Sequence, residues 1–465
     1  MKTSILPVEK NKTYTLQITG VTAEGAGIGR VAGFTVFVPG ALAEETVEVL
    51  IIKITSGFAV GKLVRVISAS PYRTEPICPN YKRCGGCILQ HASYEGQLAM
   101  KYRIVKDAIE RIGGFFGQEV LPVMPSPQAL RYRNKAAFPC QNEENGPVFG
   151  FFAQRSHMLI PVEDCCLESE KSIKVMHSVR EWAKEEQITA YSETRHTGLL
   201  RHAVIRESSE GEIMVTVVCT GKPQKEKKLI EKLSFVDSLY WNINKHDTNV
   251  IFGDSFILLN GKSQITEHIL NHSFSVSPRT FLQVNHAQTE RLHSKAIELL
   301  APKKTENAAD IYCGMGSITL SLAPYVKTVF GIESVPEAIE DAKRNAADNA
   351  IDNAEFYCGE AEILLPKLFT DRQCEVMIID PPRKGCDVRV LEAIRTSSCE
   401  RLVYISCNPA TLARDLKILC ADERFTIQTI QPVDMFPQTG HVETVVCLRR
   451  EKVDGYIEID YNVDK

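Results

Sequence analysis

No apolar run in the 465-residue sequence approaches the ~20 residues needed to cross a bilayer, so a membrane-spanning chain is not expected. The first residues, MKTSILPVEKNK, are too polar for a secretory signal core, and no internal repeat marks a solenoid or propeller. The expectation is therefore a cytoplasmic protein, monomeric by default. Net charge is scarce too. The 54 Lys and Arg nearly cancel the 58 Asp and Glu, and the resulting −4, taken whole, discourages a nucleic-acid partner. Cysteine, by contrast, is plentiful. Fifteen of them without a secretory signal point to cytosolic thiols, metal ligands or a catalytic nucleophile rather than disulfides. A composition 44% hydrophobic and 24% charged is that of a globular chain, and the length suggests two to four domains.

The near-zero charge is an average. Residues 1–135 hold 17 basic and 10 acidic side chains, a local balance of +7, and residues 136–465 carry −11. The acidic stretch 451–465 reads as a solvated tail. Basic residues gather beside aromatics in Tyr81-Lys82-Arg83 and in Arg131-Tyr132-Arg133-Asn134-Lys135. For a charge run alone, a solvated face is the commoner explanation; the sharper one is a strip that meets RNA phosphates and stacks bases.

Short alternating runs over residues 5–67, separated by Gly-rich turns such as Gly25–Gly29, predict a small OB-like β-barrel. Residues 69–90 are Pro- and Cys-rich and are expected to be irregular. Tyr94–Ile112 has helical periodicity, and residues 131–265 read as mostly β, interrupted by one helix near Ser172–Gln187. From about residue 285, helices alternate with buried apolar strands, which predicts a parallel doubly wound sheet closed by an antiparallel edge hairpin of Phe425–Gln431 and Val442–Arg449. The implied boundaries are 1–68, 69–270 and 271–465.

Four strand ends in the last segment carry chemistry. Asp310-Ile-Tyr312-Cys-Gly314-Met-Gly316 fits a turn that brings backbone close to a ligand, but Thr319 stands where a dinucleotide fingerprint wants its third glycine. Glu333, ending the next strand, is placed to accept from ribose hydroxyls. Together they favour a nucleoside cofactor without a pyrophosphate, such as S-adenosylmethionine. Asp380-Pro-Pro-Arg383 ends a further strand, and Ser406-Cys407-Asn408-Pro409 ends the one after it. A cysteine there, before a helix start, is expected to have a lowered pKa and to act as a thiolate. Cys313, Cys358, Cys374, Cys399, Cys420 and Cys447 lie in or beside apolar runs and are expected to be buried small hydrophobes.

Cys78, Cys84 and Cys87 form a C-x5-C-x2-C pattern that needs a fourth ligand, which Cys165 or Cys166 could supply. By residue chemistry alone, zinc and a [4Fe–4S] cluster are both allowed.

These motifs, with Phe281-Leu-Gln283-Val-Asn285 and His441-Val-Glu443, make the chain resemble the RumA-type 23S rRNA uracil-5-methyltransferases over nearly its whole length. The resemblance implies an α/β fold: a Rossmann-like class I methyltransferase domain, an N-terminal barrel similar to a TRAM domain, and a β-rich central domain holding a [4Fe–4S] cluster on Cys78, Cys84, Cys87 and Cys165. It implies that Gln283, Tyr312, Glu333 and Asp380 line an S-adenosylmethionine pocket. Cys407 would attack C6 of a flipped-out uridine, and Glu443 would remove the C5 proton. A tRNA uridine is the nearest alternative substrate. A non-catalytic Fe–S protein that binds RNA or senses redox state is the alternative of another class, and it would leave Cys407 and Glu443 without a purpose.

Overall fold

The computed structural model describes residues 6–451; the acidic tail beyond lies outside them. Five strands, β1 (Thr13–Val21), β2 (Ala26–Val31), β3 (Phe34–Pro39), β4 (Thr46–Ile54) and β5 (Phe58–Ser68), close into a barrel in the order β1-β2-β3-β5-β4. Inward positions alternate along the strands, as with Val47, Val49 and Ile51 on β4, and fill its interior. The Gly-rich stretch expected to be a turn is largely strand β2. At Gly27 a side chain would stand only 3.0 Å from Ala41 and Ile18, so glycine there serves close packing inside a strand.

Residues 69–93 contain no helix or strand. Helix α1 (Tyr94–Ala108) starts at Ser93, whose hydroxyl accepts from the Gly96 amide at 3.2 Å, and ends through a π-helical turn at Gly114. Its apolar face, Val105, Ala108 and Ile109, packs into the core of the C-terminal sheet.

The central region is a seven-stranded sheet, β6 (Lys135–Glu143), β7 (Gly146–Phe152), β8 (Leu159–Pro161), β9 (Leu200–Glu207), β10 (Ile213–Cys219), β11 (Ser238–Ile243) and β12 (Ser255–Gly261), in the order β12-β11-β10-β9-β6-β7-β8. Helices α2 (Glu170–Glu185) and α3 (Glu226–Lys232) cover one face, with Trp182 and Trp241 edge to face at its centre. Hairpin β13 (Ile265–Ile269) and β14 (His272–Val276) covers part of the other.

The C-terminal unit alternates α4 (His286–Leu300), β15 (Asn307–Ile311), α5 (Ser317–Leu322), β16 (Thr328–Glu333), α6 (Pro336–Asp348), β17 (Ala354–Cys358), α7 (Ala361–Asp371), β18 (Val376–Ile379), α8 (Val388–Thr396), β19 (Arg401–Ser406) and α9 (Pro409–Leu419). Strands β20 (Phe425–Val433) and β21 (Glu443–Arg450) close the chain. The order is β17-β16-β15-β18-β19-β21-β20: five parallel strands, then β21 antiparallel between β19 and the edge strand β20. Every residue of β18 and β19 is buried, because helices cover both faces. Among the described residues, no helix is long and apolar enough to cross a membrane.

Cys313, Cys374, Cys399 and Cys447 are buried as expected, but Cys358 is exposed and Cys420 only half-buried. Cys358 ends β17, an edge strand with no neighbour on its outer side.

Candidate active site

The parallel strands deliver their carboxyl ends to one crevice. After β15 the chain turns through Tyr312, in the left-handed region at φ +70, and through Gly314 and Gly316 at φ +55 and +88. A non-glycine residue in that conformation costs about 1–3 kcal/mol and commonly marks a ligand site. Thr319 is explained by its bond: its hydroxyl donates to the Asp310 carboxylate at 2.6 Å. The other Asp310 oxygen is buried without a partner, and burial pushes this carboxyl up to about 7. Glu333, ending β16, is held by the amides of Gly314 (3.2 Å), Ser334 (2.7 Å) and Val335 (3.0 Å). A glycine cradle, an orphaned carboxylate oxygen and an immobilised carboxylate fit a polar nucleoside cofactor such as S-adenosylmethionine.

Cys407 directly follows β19 and precedes α9. Asn408 caps that helix, its side chain accepting from the Ala410 amide at 3.0 Å, and Pro409 fills the first turn. The Asn408 side-chain amide and the Thr411 hydroxyl also donate to the Arg383 carbonyl, at 3.2 and 3.3 Å. The Ser-Cys-Asn-Pro-Ala-Thr and Asp-Pro-Pro-Arg motifs are thereby fastened to each other. Gly385, at φ +79, has Arg414 and Asp415 where a side chain would stand, which closes the same junction.

Because β21 runs antiparallel to β19, with Ser406 opposite Thr444, the start of β21 lies beside the end of β19. Cys407 and Glu443, 36 positions apart in sequence, therefore meet at one sheet edge. Burial pushes the Glu443 carboxyl up to about 8, Asp380 adds to the rise, and Arg383 opposes it. Asp380 itself is pushed to about 7 by burial and by Asp310.

The expected lowering of the Cys407 pKa does not occur. Burial, then Glu443 and Asp380, push it up to about 11, against the Arg383 guanidinium. Position before a helix supplies amide dipoles, but two carboxyl groups and a dry surrounding outweigh them. Arg383, inside the Asp-Pro-Pro-Arg motif, has no counterpart in the local sequence pattern of Cys407 or Glu443. It is the cation that acts on both Cys407 and Glu443.

The loop 434–442 leading into Glu443 is held from several sides. Lys101 of α1, wholly buried, pairs with Asp434 and donates to the Phe436 carbonyl at 3.0 Å. The Gln97 side chain exchanges two 2.9 Å bonds with Gln438, one with its side chain and one with its amide. The amides of Ile88 and Leu89, next to the cysteine pattern, donate to the Gln438 carbonyl at 3.0 and 3.1 Å. Gly440 lies against the carbonyl of Ala23 from the barrel, too close for any side chain. On the opposite side, Gln283 belongs to the segment before α4, its carbonyl accepting from the Asn134 side chain at 3.1 Å. Neighbouring Phe281 is 75% exposed.

Cys166 acts on Cys78, Cys84 and Cys87, and Cys165 on Cys87 alone of the three. Cys87 shares a hydrogen bond with Cys166 that pushes its own pKa up, and the Gln90 amide donates to the Cys166 sulfur at 3.2 Å. Cys165 packs on the central core instead. Among the described residues, no three His, Cys, Asp or Glu side chains converge closely enough to hold a metal ion.

Comparison with known proteins agrees with this geometry. Residues 93–451 match the tRNA (Uracil-5-)-methyltransferase family, and residues 7–64 match the TRAM domain. An uncharacterized RNA methyltransferase of Clostridium tetani is 44% identical over 95% of this chain and 97% of its own. One from Bacillus cereus is 43% identical over 96% and 98%. The crystal structure of the Pyrococcus abyssi tRNA (uracil-54, C5)-methyltransferase in complex with S-adenosyl-L-homocysteine has a TM-score of 0.74 at 28% identity, covering 93% of this chain and 99% of that one. With a TRAM barrel before its class I methyltransferase fold, the chain belongs to the tRNA (uracil-5-)-methyltransferase family and is an S-adenosylmethionine-dependent RNA (uracil-5-)-methyltransferase.

Proposed function

We propose that the enzyme methylates C5 of a flipped-out uridine in 23S rRNA, in the cytoplasm, with Cys407 as nucleophile and Glu443 as base. The observation that carries this reading is the antiparallel placement of β21, which sets a carboxyl group and a thiol beside each other at the cofactor edge.

Gln283, Tyr312, Glu333 and Asp380 would hold S-adenosylmethionine, which when bound supplies an electrophilic methyl group. The Cys407 thiol gives up its proton to solvent, the thiolate adds to uracil C6, and the electron pair moves onto C5 and the C4 carbonyl as an enolate. C5 would then take the methyl group, whose bond to the cofactor sulfur breaks to leave S-adenosylhomocysteine. The C5 proton passes to a Glu443 carboxylate oxygen, the C6–S bond breaks, and the C5–C6 double bond returns as the thiolate leaves. Glu443 finally releases its proton to solvent. Throughout, Arg383 offsets negative charge in a pocket that otherwise opposes it.

The test is methyl transfer to 23S rRNA fragments and to bulk tRNA, comparing wild type with Cys407→Ala and following tritium release from 5-tritiated uridine. The reading expects tritium release from rRNA by wild type alone. Release from tRNA only would favour the second reading, which the match to the Pyrococcus abyssi tRNA enzyme supports. Release from neither would defeat the C5 chemistry.

We also propose that Cys78, Cys84, Cys87 and Cys166, half-buried thiols that do not close on a single ion, hold a [4Fe–4S] cluster with a structural role, since a four-iron cube spreads its thiolates wider than one metal ion does. Its loop reaches Gln438 and so steadies the approach to Glu443. Iron and sulfide analysis should give a full cluster in Cys165→Ser and a deficient one in Cys166→Ser; the reverse pattern would return the fourth position to Cys165.

A further inference from the structure

A cavity of about 440 Å3 on the central sheet is unused by the transfer chemistry. Phe152, His157, Tyr191, Arg195, Arg201 and His202 contribute to its lining. The Arg201 guanidinium lies 4.8 Å from the centre of the Tyr191 ring, and donates to the carbonyls of Asn244 at 3.3 Å and His246 at 2.6 Å, which fixes its plane. The rings of Phe152 and His157 stand 5.7 Å apart. His202 Nδ1 is buried with no hydrogen-bond partner, and burial, then Arg201, push this imidazole down to about 4, so it is neutral at physiological pH. Arg195 is exposed. Glu193 is the one carboxylate in the lining, and it faces His157 at 3.3 Å.

His202 of the cavity shares a sheet face with Lys135 and Arg206. Strands β6 and β9 pair Lys135 with Arg206 and Pro139 with His202. Strand alternation puts Lys135, Ala137 and Pro139 on one face with Arg206, Val204 and His202, while Ala136, Phe138, Ala203 and Ile205 enter the core under the helices. At the near end, the Asn134 amide donates to the Val284 carbonyl at 2.9 Å, beside Gln283. At the far end, four residues or about 13 Å along the strand, lies His202.

Aromatic planes, a fixed and an exposed guanidinium group and an unsatisfied neutral imidazole in one cavity match a nucleobase with its phosphate. An apolar ligand would leave the cations and His202 unpaired, and a small anion would leave the rings unused. We propose that this cavity binds the base of a second unstacked nucleotide of the RNA substrate.

The probe is an oligonucleotide centred on the uridine that the enzyme methylates, whichever RNA that proves to be, with one abasic residue placed at successive flanking positions. Failure of the rRNA reading therefore leaves this test intact. Tyr191→Ala should weaken binding of the unmodified RNA about tenfold, raising KM with kcat little changed. One abasic position should cost wild type a similar factor and cost Tyr191→Ala nothing more. Arg195→Gln changes an exposed side chain and is not expected to disturb folding. It should weaken binding severalfold and flatten its salt dependence. Unchanged thermal unfolding and S-adenosylmethionine affinity show that the variants are folded. An abasic profile identical in wild type and Tyr191→Ala, or wild-type binding by both variants, would overturn the proposal.

Discussion

Glu45 and Glu443 are both buried glutamates, one in the barrel and one in the crevice, and their surroundings have opposite signs. Burial pushes the Glu45 carboxyl up, but the Arg73 guanidinium and the amides of Leu42 (2.8 Å) and Ser70 (3.3 Å) outweigh it and hold its pKa below the ordinary range. Glu443 is 3% exposed, faces Asp380 and Cys407, and stands at about 8 with only Arg383 against the rise. Saturated with donors, a buried carboxylate closes a fold. Left short of them, it becomes a base that gains a proton readily, at a cost in stability.

Glu443→Gln tests the crevice half of that contrast and carries the largest expected effect. Turnover should fall by roughly 10^2–10^4. Attack and methyl transfer do not need the carboxylate, so a covalent protein–RNA complex should accumulate and survive denaturing electrophoresis. Loss of turnover with no adduct would place Glu443 before the methyl transfer instead. The same variant should be more stable at alkaline pH. A glutamate at about 8 when folded, against an ordinary 4.5, binds more protons in the native state. Its relative stabilisation is complete below 4.5 and lost as pH rises through 8. The glutamine escapes this loss, so its advantage in denaturant titrations should grow from pH 5 to pH 9, to on the order of 4 kcal/mol.

Arg73→Met tests the barrel half. Removing the cation leaves Glu45 buried and short of partners, at a cost on the order of 3 kcal/mol in denaturant unfolding. The pH dependence should be the mirror image of the crevice. The depressed carboxyl of wild-type Glu45 stabilises above its ordinary pKa and loses that contribution as pH falls, so the penalty of Arg73→Met should shrink under acid. A penalty equal at pH 4 and pH 8 would mean that Arg73 contributes packing alone.

The crevice was largely legible in the sequence because strand-end motifs are local. Asp310–Gly316, Glu333, Asp380–Arg383 and Cys407 each follow a short apolar strand, and a doubly wound sheet brings such ends to one edge. The barrel and the closing hairpin were legible from alternation. The supports were not. Gln97 and Gln438 are 341 positions apart, and Lys101 and Asp434 are 333 apart, so nothing local marks them as partners. The choice between two adjacent cysteines depends on which one faces Cys87, a property of side-chain direction. The Cys407 pKa is hidden for a similar reason: a helix start is visible in sequence, whereas the carboxyl groups facing it come from the residue after β18 and from β21.

Arg383→Gln has the smallest expected effect and separates charge from contact. The proposed reaction uses Cys407 as thiolate and Glu443 as carboxylate, and both lie high, at about 11 and about 8. Wild-type kcat/KM should therefore climb with pH through 8 and beyond. Removing the guanidinium raises both groups further, so the variant should be roughly tenfold slower at pH 7, with the deficit narrowing as the solution becomes alkaline. If Arg383 only grips RNA phosphate, the deficit would be the same at every pH and would deepen with salt. A deficit that closes with pH makes Arg383 the counterpart of Arg73: one cation saturates a carboxylate for the fold, and the other, spread over a thiol and a carboxyl group, leaves both reactive.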